Sequence, residues 1–375
     1  MRILFATVES IGRVLPLLPL ADAARRAGHD VLFGTGEAVF DLLHRAGLAT
    51  TTIGTSPMAA FERAKAAGLV PADTGDGAQM QEIGAMVFGE LVPRMVFDAT
   101  KTVIEEFKPD LVISEIGNPG ALLAAQHRGV PVYAHTWGRV TRTPIIAEVI
   151  DRTAKVAADL GVSGIAPHID ICPESVQGPN FKEKFERLPM RPTGWSFPGD
   201  ELPPLVAQRE RPIVYVTFSS VLHSVPERTL LDLVEGIARL PVDVLMTTGA
   251  LAPDRPGLPS NVHIEQWVPQ SLVVPHTALV VHHGGPGVML NAMSAGVPQL
   301  VLPDPQGLEP GTSTAVLESG AGDVLPQAEI TPDTVFEKVE SLLRDESVQA
   351  AATAVAAEIA AMPLPAEVLE LLEKR

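Results

Sequence analysis

The chain has 375 residues, 46% of them hydrophobic, and a formal net charge of −17 from 28 Lys and Arg against 45 Asp and Glu. So acidic a chain lacks the basic patch that nucleic acid or an anionic membrane surface requires, and its single cysteine, Cys172, rules out an internal disulfide. The length exceeds what one core fills, no apolar run reaches the ~20 residues of a membrane span, and the start reads as a strand and not a signal peptide, so a soluble cytoplasmic protein of two domains is expected.

Residues 3–8, apolar but for Thr7, read as a strand of the buried type. Val14, Leu17, Leu18 and Ala21 then recur at helical spacing until Gly28, and residues 31–33 supply the next strand. Residues 58–97 are long for a strand-to-helix connection and rich in Met, Phe and Ala; pocket-lining helices and an ordinary helical insertion fit equally. Further strands fall at residues 111–113 and 130–134. In open α/β sheets ligands gather at the carboxyl ends of strands, which makes Glu9, Ser10, Arg13, Ser114, Glu115, Asn118, His135 and Thr136 the candidates in this half.

Residues 177–212 are dense in proline and charge and mark a linker. A second α/β pattern starts with a strand at 213–218 that runs into Ser219 and Ser220, whose hydroxyls either face a phosphate or serve as turn residues. After a strand at 262–264 stands Trp267-Val268-Pro269-Gln270. A tryptophan held by a nearby proline suits stacking on a nucleobase, with the Val268 backbone and the Gln270 amide reading the base edge; packing of the indole in a core is the alternative. Residues 278–281 lead into His282-His283-Gly284-Gly285-Pro286-Gly287-Val288, and from Val288 apolar residues recur at helical spacing until Gly296. Glycines at a helix N-terminus turn unpaired N–H groups and the positive end of the macrodipole toward an anion, so the segment reads as a diphosphate cradle to which His283 adds a donor. A tight turn with two packed histidines is the plainer reading. An Ala-rich helix, a break at residues 362–365 and a last short helix close the chain.

Taken together, these residues resemble the donor-nucleotide signature of family 1 glycosyltransferases, and in particular the actinobacterial natural-product enzymes that move deoxysugars from TDP-sugars, including the calicheamicin glycosyltransferases. The resemblance spans nearly the whole chain, through Leu4-Phe5-Ala6, Leu15 to Ala21, Arg26-Ala27-Gly28-His29, Val92 to Asp98, Pro109-Asp110-Leu111-Val112, the His-His-Gly-Gly segment and Gly296-Val297-Pro298-Gln299-Leu300. It implies an α/β chain of the GT-B fold: two Rossmann-like domains facing across a cleft, with a C-terminal helix crossing back to the first. The acceptor domain would be residues 1–200 completed by 364–375, and the nucleotide-sugar domain residues 201–363. The implied activity is inverting, metal-independent transfer of a deoxysugar from a TDP-sugar to a hydroxyl of a hydrophobic or aromatic natural-product acceptor, with no cofactor, and a homodimer is left open.

Against that resemblance the chain departs at several positions. The family places a histidine base at the start of the first helix, where this chain has Arg13, and a guanidinium cannot take a proton near neutrality. Glu9 and Glu115 are the partners expected for Arg13; Glu115 occupies the place of the carboxylate that orients the family's histidine, and an ion pair with Arg13 would lower its pKa. Three readings stay open: His135 supplies the base; the acceptor is a phenol or enol whose anion Arg13 stabilises; or the chain is a weak or inactive homologue acting as a partner or regulator. On the donor side Pro286 removes one N–H, Val288 replaces a hydroxyl, and Asp304 to Glu309 replaces the usual sugar-binding pattern, leaving Glu309 or Gln306 for sugar hydroxyls and Thr312 near the expected asparagine. An epimerase or hydrolase of the same architecture shares the diphosphate site. A dehydrogenase lacks its glycine fingerprint here, a serine hydrolase its nucleophile turn, and metal chemistry its ligand spacing.

Overall fold

The computed structural model describes residues 1–54, 56–66, 68, 77–141, 143–218, 225–247, 257–303 and 310–374. It contains two compact units, one of Met1–Ile171, Gly178–Met190 and Pro363–Arg375, the other of Cys172–Gln177 and Arg191–Met362. Among the described residues no helix is long and apolar enough to cross a membrane.

The first unit is built on seven parallel strands: β1 (Arg2–Ala6), β2 (Asp30–Thr35), β3 (Ala49–Thr52), β4 (Leu111–Glu115), β5 (Val132–His135), β6 (His168–Asp170) and β7 (Arg187–Pro189), in the order β3-β2-β1-β4-β5-β6-β7. Helices cover both faces, which is why these strands read as apolar runs with no alternation. On one face Leu4, Ala6, Val112 and Ala134 pack with Val96, Phe97, Ala121 and Ala124 from the helices Val92–Phe107 and Pro119–His127. Those two helices approach closely at Gly120, where a Cβ would run into the Pro93 carbonyl and come within 2.8 Å of the Val96 Cβ. The long connection before them holds the helices Pro57–Ala66 and Gly77–Met86 and a π-helical turn, Val87–Leu91. The final helix, Pro365–Glu373, belongs to this unit: it packs on the helix Leu18–Arg26, buries Val368, Leu369 and Leu372, and its Glu373 meets His29 Nε2 at 2.6 Å.

The second unit repeats the plan with six parallel strands: β8 (Ile213–Thr217), β9 (Asp243–Thr247), β10 (Val262–Glu265), β11 (Leu279–His282), β12 (Gln299–Val301) and β13 (Gly322–Val324), in the order β10-β9-β8-β11-β12-β13. One face, with Ile213, Tyr215, Leu245 and Val280, packs under Val288, Ala292 and Val297 of the segment after β11. In both units the first strand is flanked by strands reached in opposite directions. That reversal lies between β1 and β4 in one sheet and between β8 and β11 in the other, and there the outgoing connections splay and open a crevice at the strand carboxyl ends.

The close approach at Gly120 gives a test of the first core. Gly120→Ala should destabilise the protein by about 1 to 3 kcal/mol, because a methyl group against a backbone carbonyl forces the two helices apart. Chemical denaturation would show it, and an unchanged midpoint would contradict this packing.

Candidate functional site

At the β1–β4 crevice the loop after β1 carries Thr7 to Arg13 and the loop after β4 carries Glu115 to Asn118. Ser10, in an extended conformation, precedes the short helix Ile11–Val14 that holds Arg13. Glu9 turns away from Arg13: its Oε1 accepts the Ala38 N–H at 2.7 Å, and its side chain lies against Gly36. The expected Glu9 partnership is therefore replaced by one to the loop after β2. Arg13 instead lies over Trp137, its Cζ 3.3 Å from the ring centroid, within electrostatic reach of Glu115. Trp137 in turn abuts Gly117, where a Cβ would sit 3.1 Å from the ring and 2.9 Å from Glu115 Oε1. Stacking on an indole fixes the plane of a guanidinium while leaving its N–H edge to in-plane partners.

Glu115 is only 1% exposed. Its Oε1 accepts the Gly117 N–H at 2.6 Å and its Oε2 the Thr7 hydroxyl at 3.3 Å. Burial raises its pKa above the carboxylate range, and Arg13 and these hydrogen bonds offset that only in part. The expected lowering by Arg13 is thus outweighed, because losing water costs the ionised form more than one nearby cation returns. His135 is the register partner of Glu115 across the β4–β5 ladder and is 0% exposed. Burial lowers its pKa to about 4, so the ring is neutral at ordinary pH, and no edge of it faces solvent. Ser114 Oγ donates to the Asn118 carbonyl at 2.8 Å, and Asn118, buried at the start of the helix Pro119–His127, makes no hydrogen bond through its own amide. Thr136 Oγ1 donates to Asp170 at 2.9 Å, and Asp170 also accepts from Arg187 Nε at 2.7 Å, which ties β5, β6 and β7 together below the site.

At the β8–β11 crevice of the second unit, Trp267 follows β10 and is 59% exposed, so its indole is not packed in a core. Val268 is buried beside Tyr215 and Val288 and anchors the loop. Pro269 starts the short helix Gln270–Val273. The Gln270 amide nitrogen points into the sheet edge, donating to Tyr215 Oη at 3.1 Å and more weakly to Thr217 Oγ1 at 3.5 Å. Thr247 completes this buried group, 3.1 Å from the Tyr215 hydroxyl and donating to Thr217 at 2.9 Å. Gln270 therefore spends its amide N–H on holding the Trp267 loop, and that donor does not face a base.

The glycine loop follows β11. Gly284 has φ +103°, a region that side chains disfavour, and its N–H donates to His282 Nδ1 at 3.2 Å. His282 is fully buried, its pKa lowered to about 3 by burial and then by His283, and its Nε2 lies 3.0 Å from Gln299 Oε1. Gly285 is the N-cap of the helix Pro286–Ala295, and a Cβ there would stand 3.0 Å from His283 Nε2, which places that ring against the helix start. No side chain caps this end, and the first intrahelical bond runs from Met289 N to Gly285 O at 3.1 Å. Gly287 and Val288 thus offer the first-turn N–H groups, Pro286 having none, while the Val288 side chain is buried in the core beneath. Ser219, Ser220, Gln306 and Glu309 lie outside the described residues. Among the described residues, no group of three or more His, Cys, Asp or Glu side chains is placed to hold a metal.

Sequence reasoning singled out the ends of the strands but missed Thr7, Trp137, Tyr215, Thr217 and Thr247, and did not connect Gln299 to His282. The signals present were weak: Trp137 stands two residues past β5, and Gln299 lies inside the quoted Gly-Val-Pro-Gln-Leu run.

Comparison with known proteins identifies relatives of the chain. Residues 231–374 match the family model described as "Erythromycin biosynthesis protein CIII-like, C-terminal domain". The L-demethylnoviosyl transferase of Streptomyces niveus is 30% identical, covering 99% of this chain and 97% of its own. Elloramycin glycosyltransferase ElmGT of Streptomyces olivaceus is also 30% identical, covering 98% and 96%. Among solved structures, the glycosyltransferase SsfS6 of Streptomyces sp. SF2575, complexed with thymidine diphosphate, is 25% identical with a TM-score of 0.81, covering 100% of both chains.

The buried histidines set the pH response of the fold. A group whose folded pKa is depressed contributes stability above its unfolded value and loses it as pH falls toward the folded one. Unfolding therefore takes up protons at His135 and His282 from about pH 6.5 downward. Glu115, with its pKa raised, acts in the opposite sense. Comparison of wild type with His135→Leu isolates one term: the fall in unfolding free energy between about pH 7.5 and pH 5 should be about 2 kcal/mol shallower in the variant. Parallel pH dependences would show that His135 is accessible and charged in the fold.

Proposed function

The chain belongs to the family 1 natural-product glycosyltransferases, and from that premise we propose that it transfers a deoxysugar from a TDP-sugar to an acidic hydroxyl of a natural-product aglycone or intermediate, with inversion and without a metal. The observation that carries the donor half is the uncapped helix start at Gly285, behind a left-handed Gly284 and beside the His283 ring. Such an end binds phosphate through first-turn N–H groups and the helix dipole. The exposed Trp267 supplies a stacking face for thymine, and the structure of SsfS6 with thymidine diphosphate supports that choice of nucleotide. Because N–H groups, the dipole and His283 already meet the diphosphate charge, no carboxylate-held cation is needed.

In the reaction the acceptor oxygen attacks the anomeric carbon on the face opposite the diphosphate. The bond from that carbon to the phosphate oxygen breaks, and its electron pair leaves on TDP, which inverts the centre. The acceptor proton is the difficulty. Glu115 and His135 are both withdrawn into the protein, and beside Glu115 at the crevice stands Arg13, a cation stacked on Trp137. A cation there favours an oxygen that ionises readily, a phenol or enol, by stabilising its anion while the proton passes to solvent. A catalytically silent relative acting as a partner would share the burial of Glu115 and His135 but would transfer nothing.

Calorimetry with TDP tests the donor half. Trp267→Ala should cost about 1 to 3 kcal/mol of TDP affinity, the usual worth of a base stacked on an aromatic ring. TDP binding should persist in EDTA. Unchanged affinity in the variant would reject the stacking assignment, and a requirement for Mg²⁺ would reject metal-free binding.

An acceptor panel graded in acidity tests the other half. Wild type should glycosylate phenols and enols in preference to aliphatic alcohols, and Arg13→Ala should lose about tenfold to a hundredfold in kcat/KM on the acidic acceptors, the worth of one charge-assisted contact. Equal use of aliphatic alcohols by both proteins would defeat the role given to Arg13. TDP binding with no transfer to any acceptor would favour the silent partner.

A further inference from the structure

We infer that His282 and Gln299 are positioning residues for the donor diphosphate: they act through Gly284, whose backbone they hold in the conformation that opens the helix start. The inference rests on the donor reading above and extends it to two side chains that would touch no substrate. The Gly284 N–H can only donate, so His282 Nδ1 must be the accepting nitrogen. The proton of the neutral ring is then on Nε2, which faces Gln299 Oε1 at 3.0 Å. The carboxamide oxygen thereby selects the tautomer, and the tautomer orients the loop. With the opposite tautomer, an N–H on Nδ1 would face the N–H of Gly284, and the turn would lose its anchor.

Two observations argue that this is more than packing. Gln299 is fully buried on β12, and its Nε2 has no hydrogen-bond partner, a cost that leucine or methionine in the same place would avoid. What the glutamine supplies in return is the oxygen on His282. The loop it steadies is also glycine-rich: beyond Gly284 the chain is held by the Gly285 carbonyl, which accepts from Met289 N–H, and by the Val288 side chain, with open space at Gly287. A glycine-rich turn in that position has many conformations, and anchoring the Gly284 N–H removes most of them in advance of binding.

The test compares ligands and variants. His282→Leu and Gln299→Leu should weaken TDP binding by about tenfold or more, in the range seen when a supporting group is removed from a ligand site, while leaving thymidine affinity at the wild-type value. His282→Asn should lie closer to wild type than His282→Leu, because its Oδ1 stands at the same distance along the side chain as Nδ1 and accepts the same N–H. The ¹⁵N spectrum of the wild-type protein should show His282 with a bare Nδ1 and a protonated Nε2. Should His282→Leu fail to fold, the tautomer and the Gln299→Leu and His282→Asn affinities carry the test. A protonated Nδ1, an equal loss for TDP and thymidine, or wild-type TDP affinity in the leucine variants would overturn the inference while leaving the donor site in place. Absence of TDP binding by wild type would remove the donor reading itself.

Discussion

Every strand in both sheets runs parallel to its neighbours, and that constraint gathers the candidate site residues of each sheet at the carboxyl edge of that sheet. A parallel neighbour is reached only by a crossover that returns the chain to the starting edge, so each strand delivers its carboxyl end, and the loop that follows, to the same side. Where strand order reverses, between β1 and β4 and between β8 and β11, two such loops part and leave backbone groups without neighbours. Arg13 with Glu115, and Gly284 with Gln270, stand at or beside these places.

The two crevices solve the cost of buried polarity differently. In the second unit most polar groups under the site are linked to one another, the Gln299 Nε2 excepted: Gln270 donates to Tyr215, Thr247 links Tyr215 to Thr217, and His282 bridges Gly284 and Gln299. Such networks fix loops firmly, since breaking one contact strands a partner away from water. In the first unit the groups are less well satisfied. Asn118 has no side-chain partner, His135 is neutral for want of water, and Glu115 is held with its pKa raised despite Arg13 nearby. The crevice of the second unit is thus built for a fixed shape, and that of the first unit keeps the Asn118 amide without a hydrogen-bond partner.

Much of this was legible in the sequence, and the limits of legibility have a physical pattern. The strand, glycine loop and helix from Leu279 to Ala295 were readable because periodicity and helix-start chemistry are local properties. For Trp267 the sequence left stacking on a base and packing in a core both open, and the structure shows the ring 59% exposed. Contacts across long stretches of chain were not readable: Trp137 meets Arg13 and Gly117 only because β5 lies two strands from β1, and Thr7 reaches Glu115 across the β1–β4 pair. The sign of the Glu115 shift was misjudged for a related reason. A nearby cation can be guessed from sequence position, whereas the depth of burial that outweighs it depends on the whole fold. Glu9 was read as a partner of Arg13 and Gln270 as a reader of the base edge; in the structure Glu9 Oε1 accepts the Ala38 N–H, and the Gln270 amide nitrogen donates to Tyr215.

The helix Pro365–Glu373 belongs to the first unit although the segment before it, Arg191–Met362, belongs to the second. During synthesis the strands β1 to β7 therefore leave the ribosome with the Leu18–Arg26 helix still lacking its cover, since Val368, Leu369 and Leu372 are made only after the whole second unit. The first unit waits, incomplete, while the second is translated and free to fold. Assembly of this protein is then interleaved in time: the half begun first is finished last, and the face of the Leu18–Arg26 helix that Val368, Leu369 and Leu372 cover stays without them in the interval.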